Sequence, residues 1–92
     1  MKFLSGAFIW RLKAEQGLPL DMSLQVMALH GVAPTWFELF EAARKDGAKL
    51  EKLATELLFF VKEAYPKEFY DGVAAKMPLL LELFHKPNQG QV

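Results

Sequence analysis

Cysteine is absent from all 92 residues. That excludes a disulfide scaffold and thiolate chemistry, and it suits a reducing compartment, so a cytoplasmic location is the expectation. Net charge is absent too, eleven Lys and Arg balancing eleven Asp and Glu. Charge therefore favours neither nucleic acid nor an anionic membrane as partner, and near-zero self-repulsion leaves association easy. Long apolar runs are missing: Leu57–Val61 and Met77–Leu81 are the longest. Both fall far short of the roughly 20 residues that span a bilayer. Apolar character from Phe3 to Trp10 follows Lys2, but it has no small-residue cleavage site and runs into Arg11 and Lys13. A signal peptide is not expected. Metal-ligand spacings, phosphate-cradling glycine loops and nucleophile-elbow motifs do not occur.

What is present is apolar side chain in excess. Hydrophobic residues make up 52% and aromatics 13%, with eight Phe and two Trp. A chain this short hides only about 60–65% of its extended surface on folding. Some of those rings must stay partly exposed or be covered by another chain. The length predicts one domain, residues 1–85, with a flexible C-terminal tail over residues 86–92.

Six glycines and five prolines divide the chain into helical segments. The first is predicted over Lys2–Glu15, ending at Gly17-Leu18-Pro19. A period-two reading would instead put Leu4, Phe8, Trp10 and Leu12 on one strand face, but no partner strand is evident, so helix is preferred. A second helix starts at Asp21 as N-cap and stops at Gly31; its apolar residues surround it, which predicts burial on every side. Thr35 and Glu38 have capping-box spacing and open a third helix that ends at Gly47. The fourth, Ala48–Tyr65, is stopped by Pro66. It carries a continuous apolar arc from Leu50 to Tyr65, and Phe59 alone among its large apolar residues projects from the polar side. A last helix follows Pro66, kinked or restarted at Pro78. The predicted fold is all-α: a compact bundle of four to five short helices, mostly antiparallel.

Candidate chemistry is sparse. His30 precedes a helix-ending glycine, where a cap or loop role suffices, and His85 lies near the chain's end. Glu38 and Glu41 could approach each other, but Glu41 with Lys45 reads as a surface i,i+4 pair. No catalytic residue, cofactor or metal is therefore assigned, and an enzyme is not expected. Three binding classes remain. A helix-turn-helix-like segment at 36–58 would suit a DNA-binding regulator, yet its second helix offers Lys49 and Lys52 beside Glu51 and Glu56, without Arg, Asn or Gln to read bases. An apolar-ligand or lipid role would exploit the amphipathic helices, although the fourth mixes Lys and Glu evenly. Protein binding, including self-association, uses the apolar surplus directly. Its expected contact residues are Trp36, Phe37 and Phe59, with a homo-oligomer or another protein as partner. Phe59 could alternatively be covered by a neighbouring helix of the same chain.

Overall fold

The computed structural model describes residues 1–85; the tail predicted over residues 86–92 lies outside them. Five helices form a compact globule with one short parallel ribbon. In chain order the elements are β1 (Lys2–Leu4), α1 (Gly6–Gln16), α2 (Leu20–Leu29), β2 (Val32–Pro34), α3 (Trp36–Lys45), α4 (Leu50–Ala64) and α5 (Lys67–His85). The Cα radius of gyration, 13.1 Å, is that expected of a folded chain this long.

The ribbon corrects the reading of the first segment. Lys2–Leu4 is extended, and helix begins only at Gly6. Its partner is Val32–Pro34, in register Lys2↔Val32, Phe3↔Ala33 and Leu4↔Pro34. The Lys2 N–H donates to the Gly31 carbonyl at 3.1 Å, and the Thr35 N–H to the Leu4 carbonyl at 2.8 Å. Parallel ladders alternate, so β2 turns the backbone of Ala33 toward β1 and that of Val32 and Pro34 away. A proline is tolerated there because its missing N–H would point off the ladder.

Each strand leads directly into a helix, and the two helices, α1 and α3, leave the same end of the ribbon and pack on each other. Gly6 makes the approach possible. A Cβ there would overlap the Thr35 carbonyl oxygen and press on Leu39. Ser5 caps α1, its hydroxyl accepting from the Phe8 N–H at 3.4 Å, and Gly17 ends it in the left-handed region at φ 73°. At the far end the Trp10 indole N–H donates to Asp46 Oδ2 at 2.7 Å, tying α1 to the C-cap of α3.

Two further expectations change. Helix α2 starts at Leu20 with Pro19 as N-cap, so Asp21 lies in the first turn and accepts from the Met22 N–H instead of capping. Nor is α2 buried all round: Leu20, Leu24 and Met27 face the core, while Met22, Val26 and Leu29 are exposed. The core is built from Ile9 and Trp10 of α1, that inner face of α2, Ala33, and the inner stripes of the last three helices. Trp36, Leu39, Phe40 and Ala43 share one face of α3, as 100° spacing dictates, and all are buried. From α4 come Leu50, Leu53, Ala54, Leu57 and Val61; α5 adds Val73 and Met77. Burying each large side chain contributes about 1.5–3 kcal/mol. Helix α5 continues through Pro78 as one element.

Candidate interaction surface

Once this core is packed, a strip of large apolar side chains remains outside it. Phe37 projects from the flank of α3 with 46% of its surface exposed, while Leu79 and Leu83 on α5 are 63% and 59% exposed. Spacing of four places Leu79 and Leu83 one above the other on the helix. The strip is firm at its base. The Phe37 ring stacks on Phe84 with centroids 5.0 Å apart, Phe84 leans on the buried Phe40 at 6.4 Å, and the Arg44 guanidinium lies 5.6 Å from the Phe84 centroid. Such ring pairs add about 0.5–1.5 kcal/mol beyond area burial, so Phe37 is held in place rather than waving in solvent.

Between these side chains runs a groove of about 330 Å³ floored by Trp36 and Leu80. A second, of about 160 Å³, continues from Trp36 and Lys76 to Phe69, Val73 and Phe3. The strip therefore extends from α5 across the edge of α3 to the ribbon. Its rim includes Lys76 and Glu68, which gives it a polar border.

The structure separates the three residues singled out in the sequence. Trp36 is only 8% exposed and tilts against Phe69 at 6.5 Å; it is part of the core and the floor of the groove. Phe37 lies on the strip. Phe59 stands apart on α4, 60% exposed, its ring meeting only that of Phe60 edge-on at 6.1 Å among described ring contacts. The alternative in which another helix covers Phe59 does not occur among the described residues. Sequence reasoning missed the contribution of Phe3 and the outward positions of Leu79 and Leu83. Their 79/83 spacing was a usable signal, but the fully apolar run around them hid which side faces water.

A different kind of site lies between α1 and α3, in a groove of about 640 Å³ bordered by charges of both signs, including Arg11, Glu38, Glu41, Lys45 and Asp46. Thr35 and Glu38 do not form the expected reciprocal capping box. Thr35 Oγ1 accepts instead from the Gly6 N–H at 2.9 Å and donates to Glu38 Oε1 at 2.6 Å. The hydroxyls of Thr35 and then Ser5, with the Gly6 N–H, hold the Glu38 carboxyl below its ordinary value. A carboxylate made less basic is poorly matched to proton abstraction near neutral pH. The arrangement locks the N-termini of two helices together.

Other classes gain little. No group of three or more His, Cys, Asp or Glu is placed to hold a metal ion among the described residues, and none of their helices is long and apolar enough to cross a membrane. His30 is the exposed C-cap of α2. The helix pair α3–α4 presents Glu38, Arg44, Lys45, Glu51, Lys52 and Glu56 outward, a surface of mixed sign toward phosphate. Comparison with family models, with curated proteins and with solved structures finds no match to the chain.

Proposed function

We propose that this chain is a small protein-interaction module of the cytoplasm that self-associates through its apolar strip. Phe37, Leu79 and Leu83 are the anchors, Trp36 supports them from below, and Phe59 supplies a second contact point on α4. The observation that carries the reading is that three neighbouring side chains from two helices, each about half or more exposed, stay outside the core and border one groove. Single exposed apolar residues are ordinary on protein surfaces; a contiguous group with aromatic backing and a polar rim marks a contact surface. A balanced charge of eleven against eleven removes the long-range repulsion that keeps many small proteins apart.

The test is the dimer dissociation constant, by light scattering, of the wild type, Leu83→Glu and Phe59→Glu. Burying an unpaired carboxylate in an apolar contact is costly, so Leu83→Glu should weaken association on the order of a hundredfold or more while leaving helicity intact. Phe59→Glu should also fold normally, because its side chain is already in water, and should weaken association less than Leu83→Glu, because Phe59 lies off the strip. Undiminished association of Leu83→Glu would remove the strip from the contact; a folded wild type that never exceeds its monomer mass of 10.5 kDa would overturn self-association.

A further inference from the structure

The ribbon has two outer edges, and they differ. On β2 the Val32 carbonyl that points off the ladder accepts from the Tyr65 hydroxyl at 2.8 Å, and Pro34 has no N–H to offer. Pro34 is fully buried and Val32 partly so, which covers that edge. On β1 the alternation of the ladder turns Lys2 and Leu4 toward β2 and leaves the N–H and C=O of Phe3 pointing outward. All three β1 residues are exposed, and among the described residues nothing pairs with the Phe3 backbone. An exposed strand edge of this kind is a template for another strand.

We infer that β1 pairs with β1 of a second copy, antiparallel and centred on Phe3, to give a closed four-stranded sheet ordered β2–β1–β1–β2. The inference rests on the self-association proposed above and names its register. With Phe3 opposite Phe3, each copy's outward N–H donates to the other's outward C=O, so both orphan groups are satisfied by one two-fold axis. The same axis sets Lys2 opposite Leu4 of the second copy, which keeps the two lysines from facing each other. Growth stops at two copies, because the outer edges of the new sheet are the two covered β2 edges.

Area supports a second copy as the occupant. Phe3 lies on the ribbon face that borders α5, and the axis, perpendicular to the sheet, puts both α5 helices on one side of it. Phe3, Phe37, Leu79, Leu83 and Met1, each roughly half exposed, then offer on the order of 500 Å² of apolar surface per copy. A standard interface buries about 800 Å² per partner, a little over half of it apolar. The strip and the edge together match that need, and the three-residue edge alone would not.

Phe3→Pro and Phe3→Ala provide the test, with solution mass and far-ultraviolet circular dichroism as readouts. Both lose the ring, but only proline loses the outward N–H, and an edge strand tolerates it because that N–H makes no bond within the chain. Loss of two inter-copy hydrogen bonds should make the Phe3→Pro dimer dissociate on the order of thirtyfold more readily than Phe3→Ala, at equal helicity. Equal dissociation of the two variants would overturn the strand pairing. A Phe3→Pro dimer as tight as wild type, with Leu83→Glu monomeric, would overturn it while leaving the strip as contact; a monomeric wild type would overturn both. Cysteine placement gives a second reading free of any effect of proline on folding. The chain has no other cysteine, so a disulfide can join only two copies. Paired Cα atoms at Phe3 would lie about 5.5 Å apart, within disulfide reach. Phe3→Cys should oxidise to a covalent dimer much faster than Lys2→Cys; equal rates would contradict the register.

Discussion

Gly6 decides whether α1 and α3 can meet. Its missing side chain is where the Thr35 carbonyl and Leu39 sit, so Gly6→Ala forces two helices apart at their joined N-termini. We expect it to cost about 2–4 kcal/mol by chemical denaturation, well beyond the usual effect of an alanine in a first helical turn. A loss under about 0.5 kcal/mol would mean the helices yield easily. Tyr65 makes a second residue-level claim. Burial pushes its hydroxyl from the ordinary 10.0 up to about 12. A raised folded value means that the phenol contributes stability below pH about 10, where both states keep the proton. That contribution is lost as pH climbs toward 12 and the unfolded chain ionises first. Tyr65→Phe should therefore be less stable than wild type by about 1 kcal/mol at neutral pH, for the lost bond to Val32. The gap should narrow across that alkaline window; a gap constant with pH would contradict the burial of the hydroxyl.

Among elements, the helices were legible because their signals are local. Gly17, Gly31 and Gly47, each at positive φ, and Pro66 mark boundaries within a residue or two of where the sequence places them. The inner stripes of α3 and α4 follow from periodicity alone, and so does the position of Phe59 opposite the core. The ribbon was not legible, since pairing Phe3 with Ala33 joins segments 30 positions apart and neither strand exceeds three residues. Each strand nevertheless carries a hint: an apolar pair followed by a hydroxyl residue and a helix start, Phe3-Leu4-Ser5 and Ala33-Pro34-Thr35. Thr35 misled for a related reason. Its spacing to Glu38 is that of a capping box, but its hydroxyl serves the Gly6 N–H, which no local pattern can announce. Helix α2, apolar on all sides, is half exposed because only a thin layer of chain is available to cover it. The tie between α1 and α3 is testable at this scale: Trp10→Phe keeps the buried ring but removes the 2.7 Å bond to the Asp46 carboxylate. A loss of about 1.5–3 kcal/mol is expected from thermal or denaturant unfolding, and no loss would show that the bond does not hold the helix ends together.

For the whole molecule, the balance of surface and core is what the composition implied. A chain of 92 residues with 52% hydrophobic content closes one core and has side chains left over. The structure gathers part of that remainder into a strip running from Leu83 through Phe37 to Phe3, beside an open strand edge. Phe59 and the outer side of α2 are left elsewhere. An account in which this surplus serves a second copy has one direct test, the weight-average mass of the wild-type chain by sedimentation over a dilution series. The account predicts twice the 10.5 kDa chain mass at high concentration, falling to 10.5 kDa on dilution without loss of helicity. A folded chain that stays at 10.5 kDa throughout would contradict it.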